Sequence, residues 1–167
     1  MRFSSDIPEL VNRREPNKSL EAPFYSASDV LDLDIRVIFG QHWIFVAVEP
    51  ELPEPGDCVT VEVGKASILL LRGDDMEIRA FHNVCRHRGA RLIDERTTTI
   101  GNIVCRYHGW SYNEDGDLIL AEHMGAGFDK SCHGLKPVHV RSIAGLIFIC
   151  LAENPPVDIE KMARVMA

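Results

Sequence analysis

Two short segments constrain this chain more than any other: Cys85-Arg86-His87 and Cys105-Arg106-Tyr107-His108. Each offers one thiol and one imidazole, so a fold that brings them together presents two sulfur and two nitrogen donors at one place. A mononuclear zinc site would use the same four groups, but zinc fingers usually pair Cys with Cys on one knuckle and His with His on a helix. Mixed loops suit instead a [2Fe-2S] cluster in which one iron takes both cysteines and the other both histidines. Zinc and a chance coincidence of residues are the competing readings. Gly89 and Gly109 follow the two loops, where a residue without a Cβ lets the backbone turn tightly and bring amide groups toward a cluster.

The rest of the sequence reads as scaffold. Residues 1–22 hold Pro8, Pro16 and several charges without sustained periodicity, which suggests an extended or loosely docked arm. From Ser26 the pattern turns helical. Ser26 and Asp29 resemble a capping box, Val30, Leu33, Val37 and Ile38 share a helical face, and Gly40 supplies the stop. Strands follow: Trp43 to Val48, Thr60 to Val63 in alternation, Ser67 to Leu71, and Glu77 to Asn83, which leads into Cys85. Ile100 to Val104 leads into Cys105 in the same way, so both loops should project from strand ends. Trp110 to Tyr112 and Leu118 to Leu120 flank a turn at Asn113 to Asp117, and Pro137 to Ile143 pairs with Leu146 to Leu151 across Ala144-Gly145. Short strands with frequent turns predict a mainly β, antiparallel domain with an N-terminal helix. Ile159 to Met166 begins a helix or a linker.

Size and charge bound the partners. The 167 residues, 46% of them hydrophobic, suffice for one globular domain with its own core. A formal charge of −7 argues against nucleic acid or an anionic membrane as partner. No apolar run approaches the ~18 residues needed to cross a bilayer, and no secretory signal opens the chain, so the cytoplasm is the expected compartment. Besides the two cysteines of the motif, Cys58, Cys132 and Cys150 form no disulfide pattern. Cys150, in an apolar run, reads as a small buried hydrophobe.

CRHRGARL, from Cys85 to Leu92, and CRYHGWSY, from Cys105 to Tyr112, resemble the Rieske domain of the non-haem iron oxygenases: large subunits of ring-hydroxylating dioxygenases and their N-demethylating relatives. The resemblance runs from roughly Pro23 to Pro156. It divides the chain into an arm at 1–22, a Rieske [2Fe-2S] domain at 23–156 and a linker at 157–167. It implies that Cys85, His87, Cys105 and His108 ligate the cluster. With neutral imidazoles the oxidised centre carries no net charge, whereas a four-cysteine centre is an anion before it accepts an electron. Rieske potentials accordingly fall in a range of about −150 to +300 mV. Rieske proteins of respiratory complexes carry an extra, disulfide-bonded cysteine in each loop; Ala90 and Tyr107 stand there in this chain. With no disulfide and fewer hydroxyl groups directed at the cluster, the potential should lie toward the low end. Arg106 replaces a proline common in the family, which questions the rigidity of that loop.

The resemblance further implies a one-electron relay from a flavin reductase or ferredoxin, through the cluster, to a mononuclear Fe(II). In the family that iron sits in a catalytic domain of the neighbouring subunit of a homotrimer. The family motif for it places an acid three residues before a His and a second His five residues after that. Only His82 and His87 have the five-residue interval here, and Arg79 precedes His82 by three. The oxygen-activating site is therefore expected outside these residues, and the chain alone should only transfer electrons. The alternative is a stand-alone Rieske-type ferredoxin. The segments Glu122 to Asp129 and Gly134 to Val140 are similar to the glycine betaine and proline betaine demethylase branch, favouring a quaternary amine over an aromatic substrate.

Around the motif, Arg86, Arg88, Arg91 and Arg106 form either a solvated basic rim or a docking patch for the donor. Trp110 and Tyr112 read as packing residues rather than electron conduits. His42, His82, His123, His133 and His139 read as surface or core histidines, with His82 near enough in sequence to touch the cluster's surroundings.

Overall fold

A computed structural model describes residues 6–125 and 127–166; residues 1–5 of the expected arm, Ala126 within the betaine-like segment and Ala167 lie outside the described residues. Among the described residues, ten strands form three antiparallel sheets stacked in layers. The first contains β1 (Ile44–Val48), β10 (Leu146–Cys150) and β9 (His139–Ile143), in that order. The middle sheet runs β4 (Ile78–His82), β3 (Ala66–Arg72), β2 (Asp57–Val63) and β5 (Thr97–Thr99). The third is a meander of β6 (Ile103–Val104), β7 (Ser111–Tyr112) and β8 (Leu118–Leu120).

The middle sheet is covered on both faces, and each face feeds a separate core. Val59, Val61, Ile68, Leu70 and Ala80 pack with Ala47, Ile147 and Ile149 of the first sheet. Cys58, Leu69, Leu71 and Phe81 point the other way and pack with Ile103, Cys105, Trp110, Tyr112 and Leu118. This explains why the expected in-and-out alternation of Thr60 to Val63 fails. Glu62 alone is exposed, because Thr60 is roofed by the chain at 95–96, donating its hydroxyl to the Glu95 carbonyl at 2.9 Å and its amide to the Arg96 carbonyl at 2.8 Å. The strand expected from Ile100 to Val104 shrinks to Ile103–Val104, which joins the third sheet, and a strand not expected from the sequence forms before it, where Thr97–Thr99, three β-branched residues, pairs with β2.

Turns follow their residues. Ala144 and Gly145 both have positive φ, 49° and 79°, as a two-residue hairpin between β9 and β10 requires. At Asn113 to Asp117 the Asn113 side chain accepts from the Asp117 amide at 2.7 Å, and Gly116 adopts φ 81° with its α-carbon so near the Phe81 ring that a Cβ would fall 2.5 Å from it.

The helical segments depart most from expectation. Within the arm, α1 (Ile7–Asn12) forms because Asp6 accepts from the Glu9 amide and Pro8 falls in the first turn, and Leu10 is buried. The helix expected from Ser26 is two, α2 (Pro23–Ser26) and α3 (Ser28–Asp34), broken where Ala27 turns extended. No capping box forms, since the Ser26 hydroxyl donates back to the Ala22 carbonyl. After Asp34 the chain widens into a π-turn at Ile35–Phe39, which shifts the helical phase. Ile35 then meets Gly64, while Val37 and Ile38, expected on the inner face, are about half exposed. The C-terminal α4 (Ile159–Met166) docks Ile159, Met162 and Ala163 on Trp43, Ile143 and Phe148. The Trp43 indole N–H donates to the Pro156 carbonyl at 2.8 Å, closing the two ends of the fold.

Candidate metal centre

The loops after β4 and β6 share one backbone plan. The Cys85 amide donates to the Ala90 carbonyl at 2.8 Å and the Gly89 amide to the Cys85 carbonyl at 3.0 Å. The Cys105 amide donates to the Trp110 carbonyl at 2.8 Å and the Gly109 amide to the Cys105 carbonyl at 2.9 Å. Gly89 and Gly109 have nearly equal positive φ, 73° and 71°, and a Cβ at either would meet nothing within 4 Å. Glycine is required there by the left-handed backbone, not by lack of room.

Together the loops gather the four residues singled out from the sequence, as two pairs. Cys85 and Cys105 are both 2% exposed and lie against each other in the core between the second and third sheets. His87 and His108 sit further out, half-buried, with ring centroids 4.6 Å apart. The donors therefore fall two and two, thiol beside thiol in the core and imidazole beside imidazole further out. That division fits a cluster with two protein ligands per iron better than a tetrahedral ion with four. The Nδ1 of His87 is buried without a hydrogen-bond partner, as an imidazole nitrogen must be to bind a metal. Desolvation, then His108 and Arg88, hold the His87 imidazole below its usual range and so favour its neutral, ligating form. Burial raises the Cys105 thiol and the nearby Cys85 adds to this, while the amides of Tyr107 and His108 pull it down by donating to sulfur.

Three supports were not evident in the sequence. Asn83, fully buried, carries the first loop: its carboxamide oxygen accepts from Leu92 N at 3.2 Å and Ile93 N at 3.0 Å, and its nitrogen donates to the Ile93 carbonyl at 2.7 Å and lies 3.2 Å from the Ser67 hydroxyl. Tyr112 is more than packing. Its fully buried hydroxyl lies 3.4 Å from Cys85 Sγ and accepts from the Arg86 amide at 3.0 Å. Burial, then the contact with Cys85, keep that phenol protonated far above neutral pH. One hydroxyl group therefore faces the cysteines. The pairing of Ile103 with Tyr112 in the β6–β7 hairpin was the signal, since it sets Tyr112 on the face that Cys105 continues. Third, Trp110 stacks on His87 with ring planes 8° apart and centroids at 4.7 Å, and is held from behind by Phe128 and His133.

The basic rim is only partly free. Arg106 pairs with Glu95 at 2.8 Å, which ties the second loop to the chain following the first where the family has proline. Arg91 pairs with Glu62 at 2.8 Å. Arg86 and Arg88 are exposed and make no ion pair among the described residues. His42, His123 and His139 lie at the surface. All five cysteines are free, with Cys150 buried as expected; Cys58 is buried too, its thiol pushed up to about 12 by burial. No helix among the described residues is long and apolar enough to cross a membrane.

A layered antiparallel domain with two mirrored Cys/His loops is the arrangement that a two-iron, His-ligated iron–sulfur centre requires. Residues 42–142 match the Rieske [2Fe-2S] domain family, and the chain belongs to it. It is 43% identical over 149 residues to a glycine betaine monooxygenase oxygenase subunit of Chromohalobacter salexigens, covering 89% of this chain and 34% of that protein. It is 37% identical over 133 residues to the large oxygenase component of a naphthalene 1,2-dioxygenase system of Pseudomonas aeruginosa, covering 77% of this chain and 30% of that one. The crystal structure of a quaternary ammonium Rieske monooxygenase superposes with a TM-score of 0.79 at 35% identity, over 86% of this chain and 43% of that one. The chain thus spans about a third of the length of the curated relatives it matches. A Rieske domain implies a [2Fe-2S] cluster, and in the oxygenase subunits such domains transfer electrons.

Proposed function

We propose that Cys85 and Cys105 bind one iron of the cluster and His87 and His108 the other, and that the chain is the electron-transfer domain of an oxygenase large subunit. The cluster, when bound, supplies a reversible one-electron store. The chain's own residues do the rest. The two thiols are buried together, the Tyr112 hydroxyl and the amides of Tyr107 and His108 offer hydrogen bonds to their sulfurs, and the two imidazoles stand toward solvent, where electrons can leave. The single observation that carries this reading is the two-and-two arrangement of donors, with His87 Nδ1 buried and unpartnered.

For the whole protein we infer a cytoplasmic enzyme taking electrons from a flavin reductase or ferredoxin. It passes them to a mononuclear iron outside residues 1–167, in the neighbouring subunit of a homotrimer. The substrate is a quaternary amine rather than an aromatic hydrocarbon. The leading similarities, to glycine betaine and carnitine monooxygenase subunits, favour that choice. The domain is assigned to 23–156, with 157–167 leading onward through α4.

The test is chemical. The chain purified without oxygen should hold two irons and two acid-labile sulfides, and fed reductant, oxygen and glycine betaine it should form no demethylated product. Stoichiometric zinc would remove the cluster assignment, and product formed by these residues alone would remove the division of labour.

A further inference from the structure

Beside the first loop lies a cavity of about 270 Å³, open to solvent and lined by His82, Val84, Arg86 and Lys136. It has room for one amino-acid side chain. Two of its four walls, Arg86 and Lys136, are cationic, in a chain with 25 acidic residues and 18 lysines and arginines. Arg86 and Lys136 are exposed and make no ion pair among the described residues, while Arg91 and Arg106 on the same rim are already neutralised by Glu62 and Glu95. The floor is rigid: the His82 amide donates to the Lys136 carbonyl at 2.9 Å, and Phe81 bridges to Pro137. Val84, 40% exposed, adds an apolar wall and is joined directly to Cys85. Burial and the Lys136 ammonium both oppose a proton on His82.

Given the reading above of this chain as an electron-transfer domain, we propose that this cavity is the entry port. A carboxylate side chain on an acidic electron-donor protein seats between Arg86 and Lys136, and so brings the donor's redox centre against the Val84-Cys85 side of the loops. The sign of the charge is the argument. An unpaired cationic concavity in a protein of net charge −7 attracts an anionic surface locally and repels it elsewhere, which orients the encounter. A small apolar spot ringed by charge also suits a redox contact, which must form and part quickly.

The probe is a reduced plant-type [2Fe-2S] ferredoxin, an acidic one-electron donor, with reduced lumiflavin as a small reductant that needs no docking. The cluster-loaded chain should be reduced by the ferredoxin at a rate that falls about 10-fold or more as salt rises from about 20 to 200 mM. Lys136→Glu, alone and with Arg86→Gln, should lower the low-salt rate by about 10-fold or more and flatten the salt dependence, leaving the lumiflavin rate unchanged. Independently of any redox step, carbodiimide coupling of the chain to oxidised ferredoxin should place the cross-link on Lys136, read by mass spectrometry. The proposal is overturned by variants that keep the wild-type ferredoxin rate and salt slope, by a wild-type chain that lumiflavin reduces and ferredoxin does not, or by Lys136 coupling to a second copy of the chain instead. A chain that neither donor reduces would sink the electron-transfer reading itself, a different failure.

Discussion

The two ligand loops have the same backbone and different foundations. Loop 85–90 and loop 105–110 repeat the same pair of main-chain hydrogen bonds and the same left-handed glycine. The second is the tip of the β6–β7 hairpin, so paired strands hold both its ends. The first leaves the edge of the middle sheet, and only an isolated bridge between Val84 and Arg91 pairs its flanks. What the sheet does for one loop, the buried carboxamide of Asn83 does for the other. A metal loop can be made rigid by strands or by one satisfied polar side chain, and the second solution concentrates the risk in a single residue.

The largest effect should follow from removing that residue. Asn83→Ala strands the buried amides of Leu92 and Ile93 and should cost about 3 kcal/mol or more, seen as a lower urea midpoint and lost iron. Ser111→Ala, at the first residue of β7 after the second loop, removes only a hydroxyl donating to the Gly109 carbonyl at 3.0 Å and should cost about 1 kcal/mol or less. Equal losses would mean that the loops are supported alike. Gly89→Ala and Gly109→Ala should each cost about 1–2 kcal/mol, and by similar amounts, because the backbone strain is the same and no neighbour is crowded. Very unequal costs in thermal unfolding would show that the shared plan is superficial.

Tyr112→Phe acts across the loops, removing a hydroxyl from Cys85 and an acceptor from the Arg86 amide. It should cost about 1 kcal/mol and move the cluster potential to more negative values. A potential unchanged in protein-film voltammetry would leave Tyr112 a packing residue. Acidification should also weaken the first loop's footing. His82, in the strand leading to that loop, has its imidazole held below the usual 6.5 by burial and Lys136, so the unfolded chain takes up a proton that the folded chain does not. Stability is then complete above neutral pH and declines as pH falls through that value, and His82→Gln should flatten the decline in chemical unfolding titrations. The smallest effect belongs to Arg106→Ala, whose ion pair with Glu95 is solvent-exposed and screened, so the urea midpoint should stay at the wild-type value.

What the sequence made legible was local. The four Cys and His residues that the fold brings together, the mainly β class, the turns at Asn113 to Asp117 and Ala144-Gly145, and the strand leading into Cys85 all follow from spacing and period. Two kinds of feature stayed hidden. One is the phase of a helix: Ser26 to Gly40 carries a sound apolar pattern, yet a π-turn at Ile35 rotates Val37 and Ile38 outward, and hydrophobic periodicity does not report an inserted residue. The other is long-range polar contact. Nothing in the neighbours of Asn83 says that it will meet Ile93, and Tyr112 reaches Cys85 only once the hairpin register is known. Thr97–Thr99 was missed for a related reason, because its pairing partner lies forty residues earlier in β2.

The most direct test of the account is electron paramagnetic resonance of the anaerobically purified, dithionite-reduced chain, with iron and sulfide quantified on the same sample. Ligation of one iron by Cys85 and Cys105 and of the other by His87 and His108 predicts a rhombic signal with an average g of about 1.9 and two irons per chain. Zinc without a signal would contradict the account, as would the higher average g of an all-cysteine cluster.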